Sequence, residues 1–509
     1  MRDLQPVLVG VGLASRVRPD QRLTSPLDLI AEASRTAIAD AGAERDLAAC
    51  IDTIACVRLF ADSASWFASP FGGSTKPPLS LAARIGARPA RAIHSAVGGN
   101  IPQKLINECA QAISEGECEL ALIAGGEALR TTALALRQGR ELDWREDPPG
   151  DCEDHGFGEP LATAHELAHG IGIPVQTYPL FEHALRARRR RTVAEHVAAM
   201  GRLFAPFTRV AAEHPHASFP TVRTAEELAT VSPENRWIAH PYPKWLNAQD
   251  KVDQAAAVLV ASEHVARELG IPQRQRVYLH GCADVNEQLF VGTRRDLSRS
   301  PAIRIAGEHA LQMAGVGLGS IDLIDLYSCF PSAVEIACEE LGIAEDDPRG
   351  LTVTGGLPYF GGPGNAYSLC AIATIVDRLR RSPGTFGLVT ANGGYLSKHS
   401  IGIYSARRPG VLFERAPPAL DQREVEALPL AELVERASGC GRIETYTVVF
   451  GRDGPERGIV VGRLVSGARF IANTPENRPD LLERLLERDP LGLEGRVETR
   501  DGRNVFTPT

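Results

Sequence analysis

The sequence predicts a duplicated α/β fold with a helical insertion between its halves and a small C-terminal β-barrel. Three observations carry this. Strand and helix signals alternate over the first 130 residues, which implies crossover connections and a mostly parallel sheet. The same order of elements returns after residue 250, which marks an internal duplication. After residue 420 the pattern changes to short β-rich runs separated by turn residues, as in a barrel. The 509-residue chain is long enough for several domains, and 44% hydrophobic residues supply an ordinary core.

The elements follow in order. Residues 6–12 (PVLVGVG) form an apolar run ended by glycines, as in a buried parallel strand. Residues 25–42 open on Ser-Pro, close on Gly and repeat apolar residues at spacings of three and four, so they read as a capped amphipathic helix. Strands are predicted at 52–57, 91–97 and 119–126, with a helix at about 100–115. A charged, His- and Pro-rich stretch follows and reads as a helical insertion. Beyond it, strands are predicted at 252–261, 276–285, 321–327, 385–391 and 400–405, and helices at 302–315, 332–341 and 366–381. The tail contributes 441–450, 458–465 and 468–472 as strands. The predicted domains are 1–130, 131–250, 251–410 and 420–509.

Composition excludes several classes. The formal net charge of −8 argues against nucleic acid as a partner. No apolar run approaches the ~18 residues of a membrane span, and the N-terminus lacks the pattern of a signal peptide. Ten cysteines without a C-x-x-C pair read as reduced thiols of a cytoplasmic protein, with no metal site.

Ligands of open α/β sheets bind beyond the C-terminal ends of strands, often at helix N-termini. Four turns meet that condition: 94–100 (HSAVGGN), 327–331 (YSCFP), 355–365 (GGLPYFGGPGN) and 392–399 (NGGYLSKH). On the first three of these turns, with LALIAGGEAL and VDQAAAVLVAS, residues 1–410 resemble the thiolase superfamily, most closely its sterol-carrier-protein-type thiolase-like members. The resemblance implies a duplicated thiolase fold (αβαβα layers) and an acyl-CoA substrate in lipid metabolism, with no tightly bound cofactor. The tail, through GRIETYTV and GIVVGRLV, resembles the OB-fold domain that accompanies many such proteins.

The family pattern places a nucleophilic cysteine in the first turn, a His-Asp-Cys-Phe segment in the second and Gly-His-Pro in the third. Here Ser95 stands at the first, Tyr327-Ser328-Cys329-Phe330 at the second and Gly361-Gly362-Pro363 at the third. A serine without a base is a poor nucleophile. The expected activity is therefore a thiolase-like enzyme of the acetyl-CoA acetyltransferase kind without the usual Cys and His. The alternatives are a retro-aldolase cleaving a β-hydroxyacyl-CoA and a non-catalytic acyl-CoA or lipid-binding protein.

The catalytic candidates are Cys329, Tyr327, Ser95, His94, His399 and Tyr359. Cys329 at a helix N-terminus is expected to have a lowered pKa; its structural alternative is an inert buried thiol. The tyrosines offer acid/base hydroxyls or simple packing, and the histidines proton transfer or structural bonds. Ser95 has the alternative of capping the following helix. Arg186, Arg188, Arg189 and Arg190 lie in the insertion that covers the CoA nucleotide in the resembled family, and Arg forks suit phosphate. A solvated charged face is the alternative. Asn365 and Asn392 are candidates to orient a carbonyl. The turns at Ser95, Tyr327–Cys329, Gly362 and His399 are expected to converge, with Cys329 the only cysteine there. The expected assembly is a monomer or homodimer.

Overall fold

The computed structural model describes residues 2–17, 23–64, 67–476, 478–487 and 489–509. The first sheet contains β1 (Pro6–Ser15), β2 (Thr53–Cys56), β3 (Arg91–His94), β4 (Leu120–Ala128) and the short β5 (Glu153–Asp154). The insertion adds β6 (Trp237–Ala239) and β7 (Tyr242–Pro243), and β8 (Asp253–Ser262) follows it. The order of the first sheet is β1-β8-β4-β2-β3-β5. The second sheet contains β9 (Tyr278–Asn286), β10 (Leu323–Asp325), β11 (Phe386–Gly393) and β12 (Lys398–Ser405), in the order β10-β11-β12-β9.

The two sheets repeat one plan. β1 pairs antiparallel with β8, β8 antiparallel with β4, and β4 parallel with β2. In the same way β9 pairs antiparallel with β12, β12 antiparallel with β11, and β11 parallel with β10. The expected duplication is thus a repeat of topology. One assignment changes: the strand at 252–261, read as opening the second half, is hydrogen-bonded between β1 and β4 of the first sheet. Its continuous apolar run fits a strand buried on both faces, and nothing in that run says which sheet it joins.

Close packing repeats as well. The helix Pro26–Asp40, capped by the Ser25 hydroxyl accepting from Asp28 N, lies on β1. A Cβ placed on Gly12 would stand 2.1 Å from Ala33 O, so only glycine admits the helix at that distance. On β9, a Cβ at Gly281 would stand 2.0 Å from Ala310 O of the helix Pro301–Ala314. The helices Ile101–Glu115 and Tyr367–Arg381 contact strands of both sheets and form the middle layer of an αβαβα sandwich.

The insertion is mainly helical, with Pro174–Arg188 and Val193–Glu213 its longest members. Thr192 and Glu195 start the second with a reciprocal capping box. Among the described residues no helix is long and apolar enough to cross a membrane.

The tail forms β13 (Gly439–Phe450), β14 (Pro455–Leu464), β15 (Arg469–Asn473), β16 (Glu494–Arg500) and β17 (Arg503–Pro508). The order β14-β15-β17-β16-β13, with β13 also paired to β14, closes an OB-like barrel. The helix Pro479–Glu487 connects β15 to β16. The barrel is docked on the insertion: β6 pairs with β13, and Thr445 Oγ1 donates to Leu180 O at 2.6 Å.

Candidate functional site

The strand ends of both sheets bring most of the predicted turns together. The turn after β3 packs on the turn after β10 and on the end of β11. A Cβ on Gly99 would lie 2.2 Å from the Tyr327 hydroxyl and 2.6 Å from Asn392 O. Ser368 Oγ, on the middle-layer helix, donates to Gly99 O at 2.7 Å. Asn392 Nδ2 donates to the Tyr178 hydroxyl at 2.8 Å and lies 3.9 Å from Cys329 Sγ. Tyr327, Asn392 and His399 line one void of only about 10 Å³. Gly362 joins through a strap: its N–H donates to Gln249 O at 2.8 Å, and Ala248 N–H donates to Cys329 O at 2.9 Å.

Of the other candidates, Ser95, His94, Cys329, Tyr359 and Asn365 do not line that void. Tyr359 points its buried, unbonded hydroxyl into the insertion helices, with its ring edge-on to Phe204 at 6.1 Å. Asn365 donates to Arg58 O at 2.8 Å and to Ser63 Oγ at 3.2 Å, and so holds two turns together.

The chemistry of the cluster is that of neutral groups. Ser95 Oγ donates to Ala96 O at 2.8 Å and accepts from Arg58 N at 3.0 Å, with no base on it. It does not cap the following helix, whose N-cap position is Asn100. The lowered pKa expected for Cys329 is not found: burial pushes the thiol up to about 12, and no cation offsets this. Burial likewise raises the Tyr327 phenol. It depresses His399 to about 3 and His94 to about 4, so both imidazoles are neutral at pH 7. His399 Nε2 lies 3.2 Å from Leu396 O, so it carries the proton and leaves Nδ1 as an acceptor. His94 Nε2 is buried without a hydrogen bond, 3.9 Å from the Asp62 carboxylate. Thiol, phenol and amide together can donate hydrogen bonds to a thioester oxygen as charge develops on it.

The arginine run is engaged elsewhere. Arg186, 1% exposed, forks onto Asp489 with two bonds of 2.7 Å and ties the insertion to the barrel. Arg188 bonds Glu339 and Ser298, and Arg189 bonds Glu335 and Glu339 at 2.8 Å. These carboxylates occupy the forks that the sequence reading directed at phosphate. Arg190 is exposed, in a left-handed conformation with φ 54°. The buried trio Glu182, His196 and Glu335 has metal-ligand composition, its ligand atoms within 4.8 Å of one another. Tyr242 and Arg189 already bond its carboxylates, at 2.6 and 2.8 Å.

Two features escaped the sequence reading. One is Tyr178, which lies against Cys329 and stacks on Phe330 with ring centroids 4.4 Å apart. The other is an open cleft of about 1070 Å³ lined by Arg130, Arg137, Arg236, Lys244 and Lys251. Among the described residues only Glu234 and Asp250 oppose these five cations, and Asn247–Gln249 form part of the wall. The strap that lines the cleft is thus the one bonded to Cys329. The cations are scattered over distant segments, so no local charge run announces them.

Comparison with known proteins agrees with this architecture. Residues 283–406 match the model of a thiolase C-terminal domain-like family, and residues 421–503 that of a thiolase-like protein type 1 additional C-terminal domain. The acetyl-CoA acetyltransferase of Methanothermobacter thermautotrophicus is 26% identical over 306 residues, 56% of this chain and 76% of that one. The beta-ketoadipyl-CoA thiolase of Acinetobacter baylyi is 24% identical over 320 residues, 59% of this chain and 75% of that one. Among solved structures, an Ltp2-ChsH2(DUF35) aldolase shares the fold, with TM-score 0.58 and 19% identity over 80% of this chain and 99% of its own. The crystal structure of a monomeric SCP2-thiolase like protein type 1 from Mycobacterium smegmatis is 39% identical, covers 100% of both chains and superposes with TM-score 0.85. With that identity over the whole length, the chain belongs to the thiolase-like proteins, in the group of SCP2-thiolase-like proteins of type 1.

Proposed function

We propose that this protein binds acyl-CoA thioesters, with the nucleotide phosphates in the cationic cleft and the thioester beside Cys329, and that it acts on them without an acyl-enzyme on Ser95. The observation that carries this is the strap Asn247–Gln249, which lines the cleft and is hydrogen-bonded to Cys329 O. Five cations against two acids suit a polyanion. Of acyl transfer and retro-aldol cleavage, the geometry favours the second, because cleavage of a β-hydroxyacyl-CoA needs no covalent nucleophile. It needs donors for the thioester enolate, supplied by Tyr327, Cys329 and Asn392, and an acceptor for the hydroxyl proton, supplied by His399 Nδ1. The depressed basicity of His399 makes slow turnover the expectation.

A second reading, an acyl-CoA binder without turnover, is favoured by the void of about 10 Å³ at the strand ends. Incubation with acetoacetyl-CoA plus CoA, and separately with a branched β-hydroxyacyl-CoA, separates these readings. Cleavage of the hydroxyacyl thioester with no acyl adduct by intact mass supports the proposal. Rapid thiolysis with a Ser95 adduct overturns it, and CoA binding with no product from either substrate selects the binder. A monomer is the proposed state: the Mycobacterium smegmatis relative is described as monomeric, and β5 occupies the outer edge of β3.

A further inference from the structure

A second cavity, of about 230 Å³, lies between residues 59–62 and 67–74, the start of the helix Pro26–Asp40 and the stretch that follows β4. Its lining shares no residue with the cationic cleft or the void beside Tyr327. Leu27, Leu59, Pro70 and Leu129 give it a hydrocarbon wall, and Phe67 and Trp144 add two aromatic rings. Among the described residues three acids line it, Asp62, Glu127 and Glu146, and no lysine, arginine or histidine does. Arg84, outside the lining, already neutralises Glu146.

Glu127 is the unusual member. It is 2% exposed, and Oε1 accepts the Phe60 N–H at 2.7 Å. Among the described residues Oε2 has no hydrogen bond and no cation pairs with the carboxyl. Gly364 closes the far side: a Cβ there would stand 2.4 Å from Oε1. The charged groups facing Glu127 are Asp62 and Asp250, both acids. Asp62 stands at the entrance, its side chain 29% exposed, with Arg58, Asp154 and the neutral His94 around it.

We propose that this cavity binds a small organic cation, an ammonium on an apolar body, with the Glu127 carboxylate as counter-ion, Asp62 at the entrance and the Phe67 and Trp144 rings around the apolar part. The described lining disfavours an anion, which would meet three acids and no donor cation there. It is a poor metal site, because among the described residues its three carboxyls do not bring ligand atoms within 4.8 Å of one another. An ammonium gains the charge pair that Glu127 lacks, and the rings favour it further. The site stands independently of the acyl-CoA reading.

Without a ligand, burial pushes Glu127 up to about 8, so at pH 7 it is mostly the neutral acid. Binding of the ammonium stabilises the carboxylate, and the carboxyl proton leaves to the buffer; no other bond changes. About one proton is therefore released per cation bound at pH 7. Affinity rises with pH by up to about tenfold per unit below about 8 and levels off above it, where Glu127 is already ionised.

The test is titration calorimetry of the full chain with cyclohexylammonium, in phosphate and in Tris, whose different ionisation enthalpies report the protons exchanged. The expected result is saturable binding with about one proton released, not displaced by cyclohexanol or cyclohexanecarboxylate. Glu127→Gln, which keeps an acceptor for Phe60 N–H, removes the proton release and weakens binding tenfold or more. Trp144→Leu weakens binding and leaves proton release intact. No binding of the cation to the wild-type chain at millimolar concentration, binding without proton release, or equal competition by cyclohexanol would each overturn the proposal.

Discussion

Replacing Gly99 by alanine tests the convergence of the three turns at the point where they are closest. The new methyl would stand 2.2 Å from the Tyr327 hydroxyl, 2.7 Å from Tyr327 Cζ and 2.6 Å from Asn392 O. Contact distances near 3.4 Å leave roughly 1 Å to be made up by movement. Asn392 O belongs to the end of β11, where Asn392 pairs with His399 of β12, so it yields little. The Tyr327 ring meets Tyr367 edge-on at 5.5 Å, so its retreat is resisted too. Overpacking of this kind costs about 1–3 kcal/mol. Melting of the core is expected to fall by about 2–5 °C, and the hydrogen-bond donors around the void to lose their alignment. Tyr327→Phe in the Gly99→Ala background removes the closest atom and leaves the Asn392 clash. It is expected to recover part of the loss, a coupling of about 1 kcal/mol. Differential scanning calorimetry of the four proteins of this cycle reads both numbers. Unchanged melting of Gly99→Ala, or strictly additive effects, would refute the arrangement.

Three further outcomes follow from the same geometry. Cys329→Ala is expected to reduce acyl-CoA turnover at least tenfold, and Ser95→Ala to keep most of it while losing about 1–2 kcal/mol of stability because Arg58 N–H is left unpaired; turnover assays in which Ser95→Ala is the dead variant would reverse the roles. His94 and His399 are held neutral in the folded chain, at about 4 and about 3, while an unfolded chain protonates them near 6.5. The unfolded state thus binds more protons, and stability falls as pH drops below about 6.5, by up to about 1.4 kcal/mol per unit for each histidine; urea midpoints that stay level between pH 7 and 5 would contradict this. Arg186→Ala removes the fork onto Asp489, whose side chain is 48% exposed, so the loss is expected at about 1–3 kcal/mol and in the docking of the barrel first; protease cleavage between core and barrel reads it, and unchanged resistance would count against the anchor.

The residues that announce the fold differ from those that make the site. Strand runs and capped helices carry their periodicity locally, so the segment Pro26–Asp40 is legible from Ser25, Pro26 and its apolar spacing. The partner of β8 is not legible, because an apolar run buried on both faces fits either sheet. The turns at Gly99, Tyr327 and Asn392 stand out by composition, and their convergence follows from the strand ends of a repeated topology. Protonation states do not follow from sequence position. A helix N-terminus predicts a lowered thiol, yet burial outweighs it at Cys329 and raises the pKa to about 12. The arginine run reads as a phosphate site until Asp489, Glu335 and Glu339, distant in sequence, are seen to occupy it. The cationic cleft has the opposite character, being assembled from single residues of separate segments.

The most direct test of the acyl-CoA account is a calorimetric titration with CoA across salt concentrations, for the wild-type chain and for Lys251→Glu. One site per chain is expected. Affinity is expected to fall as salt rises, because the proposed phosphate site lies among Arg137, Arg236, Lys244 and Lys251 in an open cleft, and to fall at least tenfold in Lys251→Glu at low salt. CoA that fails to bind, or binds with neither salt dependence nor sensitivity to Lys251, would contradict it.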